Sequence, residues 1–74
     1  QKMAYVNCDK NKTLDKIFSQ DYNISRILLS LSAILHVNIE PENTLIIFDE
    51  IQENPTVLNS LKYFDILHIH FVVI

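Results

Sequence analysis

Apolar and polar positions fall in blocks along the chain, and the period of each block predicts an element. Met3 to Cys8 (MAYVNC) is short, rich in β-forming residues and followed by Asp9, the pattern of a strand that ends in an acid. Lys10 to Lys12 is a polar connection. Thr13 is an N-cap candidate, and the LDKIF after it sets Leu14, Ile17 and Phe18 on one side of a short helical turn. Asn23 offers the next cap. Between Ile24 and His36 the residues Ile24, Ile27, Leu28, Leu31, Ile34 and Leu35 repeat with the spacing of a helix that has one buried face. Val37 to Asn43, with Pro41 between Glu40 and Glu42, reads as a connection. Leu45 to Phe48 is a continuous apolar run, as in a strand buried on both faces of a parallel sheet. Asn54 and Pro55 supply an N-cap and a proline at the first helical position. Val57, Leu58, Leu61 and Phe64 continue that helix to about Asp65. His68 to Ile74 (HIHFVVI) predicts a final strand.

The order strand, helix, helix, strand, helix, strand predicts an α/β fold: a partial parallel sheet of three strands with crossover helices. Residues 1–74 form one domain, without repeat, linker or low-complexity segment. Hydrophobic residues make up 49% of the chain, too many for a disordered segment. A domain of this size buries only about 60% of its unfolded surface, so marginal stability is expected.

Net charge is −3, and the basic residues are scattered. Neither a nucleic-acid-binding stripe nor a polybasic membrane anchor is indicated. No apolar run reaches the roughly 18 residues of a membrane span. The best candidate, Ile24 to Val37, is interrupted by Ser25, Arg26, Ser30 and Ser32. The N-terminus has no signal-peptide pattern and starts with Gln1, so either Met3 is internal or ordinary initiation did not set the start. The one cysteine, Cys8, allows no internal disulfide and suggests no zinc cluster, which fits a reducing, cytoplasmic setting.

Glycine is absent, where average usage of about 7% would give roughly five. These residues therefore hold no GxGxxG or GxxxxGK[ST] loop, no glycine helix cap and no GxSxG elbow. Richness in Ile, Asn and Lys suggests a biased genome, but bias alone would still spare a glycine that the backbone required.

The chemistry concentrates in TLIIFDEIQENP, Thr44 to Pro55. Four apolar residues run into two carboxylates, Asp49 and Glu50. A buried strand holds such acids rigidly at the ligand crevice of an open α/β sheet. The pattern is that of a Walker B strand, in which the first acid holds the Mg²⁺ of a nucleoside triphosphate and the second orients the attacking water. Taken alone it also fits a solvated strand end.

The flanking residues narrow the choice. LIIFDEIQENP with LNSLKYF (Leu58 to Phe64) resembles a family of prokaryotic AAA-type P-loop ATPases that carry a C-terminal domain of unknown function. YVNCD (Tyr5 to Asp9) is similar to the second strand of that family, and Ser25 to Thr44 to the helix and connection after it. The resemblance runs from Met3 to about Phe64. It implies Asp49 as the Mg²⁺ ligand, Glu50 as the catalytic carboxylate that polarises water, and a polar contact near the site for Gln52. It also implies ATP and Mg²⁺ as ligands of the intact family protein.

Two departures matter. The phosphate loop of the family lies before the strand placed at Met3 to Cys8, and these residues do not contain it. After Phe64 the family continues with an acidic segment, a strand and an AGS-like stretch, where this chain reads DILHIHFVVI. The expectation is a single partial ATPase domain over 1–74, lacking the P-loop segment and the C-terminal part, that binds no ATP or Mg²⁺ and is inactive alone. The resemblance places the strands as second, third and fourth of a sheet ordered five, one, four, three, two. The Walker B strand would then be central, and the HIHFVVI edge would lie open where the P-loop strand belongs. The alternative is a small non-catalytic interaction protein that forms a homo-oligomer through that open edge.

Other residues have plainer readings. His68 and His70 would share one strand face, and a metal site there would need a third ligand such as His36 or Cys8; surface or packed histidines are the simpler account. Cys8 reads as a small buried apolar residue. Asp9 either caps the next turn or sits beside the acid pair. Lys10 and Lys12 read as solvated, and Arg26 faces away from the apolar stripe, with a role at an oligomer interface as the sharper alternative.

Overall fold

The computed structural model describes all 74 residues. It contains β1 (Lys2–Asn7), α1 (Lys12–Ser19), α2 (Ile24–Leu35), β2 (Thr44–Asp49), a 3₁₀ turn (Ile51–Glu53), α3 (Pro55–Ile66) and β3 (Phe71–Val73). The three strands form one sheet in the order β1-β2-β3, and both pairs are parallel. The fold is the α/β arrangement expected, with the strand that carries the acid pair in the centre. No helix is long and apolar enough to cross a membrane.

All three helices start from an asparagine whose side-chain oxygen accepts a backbone N–H three residues on. Asn11 accepts from Leu14 at 3.1 Å, Asn23 from Arg26 at 3.1 Å and Asn54 from Val57 at 3.1 Å. Thr13 is therefore not the cap of α1. Asn11 wins because its amide also donates to the Asn7 carbonyl at 3.1 Å, which anchors the turn between β1 and α1. At the other end of α2, His36 leaves the helix with φ at 56°. Leu35 packs against the core, whereas Ile34, which the spacing placed on the buried face, is exposed.

The sheet is not buried on both faces as the apolar run Leu45 to Phe48 suggested. Along β2, Thr44, Ile46 and Phe48 are buried, while Leu45, Ile47 and Asp49 are only half-buried. The order β1-β2-β3 explains this. Both crossovers step across the sheet in the same direction, and two connections of one hand then lie on one face. The core forms on that face only. Ala4, Val6, Cys8, Ile46 and Phe48 meet Leu14 and Phe18 of α1, Ile27 and Leu31 of α2, and Val57 and Phe64 of α3.

Phe48 is the hub of this layer. Its ring lies 6.4 Å from Phe18, 5.7 Å from Phe64 and 6.2 Å from Phe71, each pair edge-on. Such aromatic pairs add about 0.5–1.5 kcal/mol each beyond area burial. The ring thus joins α1, α3 and β3 to the central strand.

β3 is shorter than HIHFVVI suggested. The end of α3 consumes its first residues: His68 donates to Asp65 at 3.0 Å and Ile69 to Phe64 at 2.9 Å, and His68 takes φ 58°. His68 lies in a turn, so His68 and His70 do not line one strand face as a ligand pair. Arg26, half-buried, has a structural task that its place off the stripe concealed. Its guanidinium donates to the Ile17 carbonyl at 2.6 Å and to Asp21 at 3.0 Å, fastening the end of α1 to the start of α2. The Asn23 backbone N–H and this guanidinium hold the Asp21 carboxyl below its ordinary range.

Asn54 is almost fully buried and, besides capping α3, donates from its amide to Asp15 of α1 at 2.9 Å. Replacing it (Asn54→Ala) removes both bonds and should cost about 1–2 kcal/mol. Urea denaturation checks this: the midpoint should fall while the slope stays unchanged.

Candidate functional site

Parallel pairing collects the C-terminal ends of the strands at one edge of the sheet. In the register of β1 and β2, Asn7 stands beside Asp49. The Cys8 N–H donates to the Asp49 carbonyl at 2.9 Å, and the Glu50 N–H donates to the Ile74 carbonyl at 2.9 Å. The backbone of the acid pair is thus held from both sides, which only a central strand permits.

The two carboxylates have different surroundings. Asp49 shares the open face of the sheet with Tyr5, whose phenol donates a hydrogen bond to its Oδ2. The two are diagonal neighbours on adjacent strands, since Tyr5 stands opposite Ile47. That hydrogen bond, then partial desolvation and the carboxylate charge, raise the Tyr5 phenol above its ordinary value of 10.0.

Glu50 leaves the alternation of the strand. Its backbone is left-handed, with φ 56° and ψ 42°, and its carbonyl accepts the Glu53 N–H at 3.0 Å to start the 3₁₀ turn. Its exposed carboxylate accepts the Gln52 amide at 2.9 Å. Gln52, for which the sequence suggested only a polar contact near the site, thus restrains Glu50 itself. A left-handed residue with a Cβ costs roughly 1–2 kcal/mol, and such strain is common at functional sites.

Asp9 stands at the same strand-end edge. Its N–H donates to the Asn7 side chain at 2.9 Å, but the cap of α1 is Asn11. Cys8 is fully buried, as expected of a small apolar residue. Burial, with the nearby charge of Asp49, pushes its thiol up to about 11 and leaves it a poor nucleophile at neutral pH.

No group of three or more His, Cys, Asp or Glu side chains converges as a ready-made metal site. Two adjacent acids still suit magnesium, which keeps several waters and takes one or two carboxylates together with substrate phosphate oxygens. The two clefts of the molecule lie elsewhere. One of about 320 Å³ sits between the end of α1 and the start of α3, around Tyr22 and Asn59. One of about 250 Å³ lies beside α2, around Leu29 and Pro41. Neither includes Asp49 or Glu50.

Comparison of the chain with models of known families, with curated proteins and with solved structures found no match.

Two measurements check this geometry. In a chain with Tyr22→Phe and Tyr63→Phe, near-ultraviolet titration follows Tyr5 alone; Asp49→Asn should lower its ionisation toward the ordinary value. An unchanged titration would mean that the phenol does not bond Asp49. Separately, Glu50→Gly should raise stability by up to about 1 kcal/mol, because the left-handed strain disappears.

Proposed function

We propose that this chain carries the Walker B segment of a AAA-type ATPase of the family that its sequence resembles. The observation that supports this most is the placement of Asp49 and Glu50 at the C-terminal end of the central strand of a parallel sheet, where open α/β folds bind ligands. In this reading Asp49 holds Mg²⁺, with water and phosphate oxygens completing its shell. Glu50 orients the attacking water, and Gln52 restrains the Glu50 carboxylate. The magnesium would neutralise charge on the triphosphate.

The open face and the free β3 edge favour the same reading. A phosphate-loop strand paired to β3 and connected forward to β1 would cross the sheet in the reverse direction. A helix in that connection would cover the face that these residues leave bare. The 74 residues hold no glycine and no substitute for the amides and lysine of such a loop. Alone they should neither bind ATP tightly nor hydrolyse it, and the setting proposed is the cytoplasm, where ATP and Mg²⁺ are at hand.

The test is made on the native polypeptide that carries LIIFDEIQENP, isolated from source cells by antibody and sized by mass spectrometry. A larger protein with a GxxxxGK[ST] loop upstream is expected. In it Glu50→Gln should lower MgATP turnover by about 100-fold or more while ATP still binds. A native polypeptide matching these 74 residues, or saturable micromolar ATP binding by the 74-residue chain itself, would overturn the reading.

A further inference from the structure

Tyr5 of β1 is the one side chain that hydrogen-bonds the Asp49 carboxylate, and it takes a single oxygen, Oδ2. The strand register builds this contact. Tyr5 stands opposite Ile47, so its side chain and that of Asp49 project from the same face of the sheet. A diagonal neighbour of this kind lies beyond a short side chain but within reach of an aromatic one. Asn7, beside Asp49 in the register, turns its side-chain oxygen to the Asp9 N–H at 2.9 Å instead. The pairing runs from Lys2 to Asn7 against Thr44 to Asp49. Both partners of the bond therefore sit on adjacent strands inside the chain, and the contact does not depend on what lies beyond residues 1 and 74.

Occupation of Oδ2 changes what Asp49 offers a cation. A carboxylate with both oxygens free can bind through one or through two. With the phenol on Oδ2, only Oδ1 can meet a ligand without breaking a hydrogen bond. Glu50 is restricted in the same way, because its Oε1 accepts the Gln52 amide at 2.9 Å. Magnesium demands near-ideal octahedral geometry, which the narrow bite of a two-oxygen carboxylate strains. Calcium accepts roughly six to eight oxygens in a flexible shell, two from one carboxylate included. Hydrogen bonds to a ligating carboxylate also fix its orientation.

We infer that Tyr5 is a positioning residue for the metal site: by holding Oδ2 it presents Asp49 through one oxygen, Oδ1, and so tunes the site for magnesium against calcium. The inference rests on the ATPase reading, in which Asp49 holds the metal.

The test uses the native polypeptide that carries LIIFDEIQENP, with a non-hydrolysable ATP analogue and with Mn²⁺ as a spectroscopic stand-in for Mg²⁺. Electron paramagnetic resonance follows the protein-bound Mn²⁺, and Mg²⁺ and Ca²⁺ are titrated as competitors. Tyr5→Phe keeps the ring and removes only the hydroxyl. It should weaken Mn²⁺ and Mg²⁺ about tenfold or more, the scale of losing a hydrogen-bond partner of a metal ligand. Ca²⁺ should weaken less, so the preference for Mg²⁺ over Ca²⁺ falls. Tyr22→Phe, on a tyrosine stacked against Tyr63, should change neither. Both variants should keep the circular dichroism spectrum of the wild type. If Asp49→Asn abolishes Mn²⁺ binding but Tyr5→Phe leaves the affinities unchanged, or weakens Mg²⁺ and Ca²⁺ equally, the role of Tyr5 is overturned and the ATPase reading stands. If Asp49→Asn leaves Mn²⁺ bound, or the native polypeptide binds no Mn²⁺ with the analogue, both are overturned.

Discussion

The constraint on which this structure rests is the hand of its two crossovers. Each leaves the C-terminal end of one strand and returns to the N-terminal end of the next, and both step the same way across the sheet. A shared hand puts α1, α2 and α3 on a single side. One core follows, with Phe48 at its centre, and one bare face follows with it. Met3, Tyr5, Leu45, Ile47, Val72 and Ile74 occupy that face because nothing in 74 residues of this topology can reach it. Parallel sheets are usually covered on both sides, so the bare face is a property of the strand order and not of poor packing.

The acid pair inherits its position from the same order. Because β2 is central, the chain around Asp49 and Glu50 is hydrogen-bonded to β1 on one side and to Ile74 on the other. The turn at Glu50 is achieved without glycine. Lys10, His36, Glu50 and His68 all adopt positive φ, each between one element and the next. The absence of glycine therefore does not keep the backbone from turning left-handed. Side chains with a Cβ carry the strain instead, at a cost that matters in a domain of modest burial.

Short polar side chains hold the frame around this core. Asn11, Asn23 and Asn54 start the helices; Asn11 and Asn54 also bond a second element, Asn7 and Asp15 respectively. Ser32 accepts the Ile39 N–H at 3.1 Å, and Thr44 accepts that of Glu40 at 2.9 Å, which stitches the connection before β2. No buried side-chain nitrogen or oxygen is left without a partner. For the two of these that are buried, Thr44 and Asn54, the cost of an unmade buried bond explains why each has its hydrogen-bond partners.

The existence and order of all six main elements were legible in the sequence, because helical and strand periods are local properties of the chain. So were the caps Asn23 and Asn54 and the acid pair at a strand end. The cap of α1 was not, because Asn11 and Thr13 are chemically equivalent candidates and the tie is broken by the Asn7 carbonyl, a partner on another element. The start of β3 was misread because a turn closing α3 and a strand draw on the same apolar residues. Burial of Leu45 and Ile47 was overestimated because an apolar run shows that a strand can be covered, not whether the topology covers it. The bonds of Tyr5 to Asp49, of Gln52 to Glu50 and of Arg26 to Ile17 depend on register, a left-handed turn and helix packing. The chain by itself determined which segments fold and where the carboxylates lie along it. The tertiary structure decided which face is bare, which edge is free and what each acid touches, because those follow from how distant segments pair.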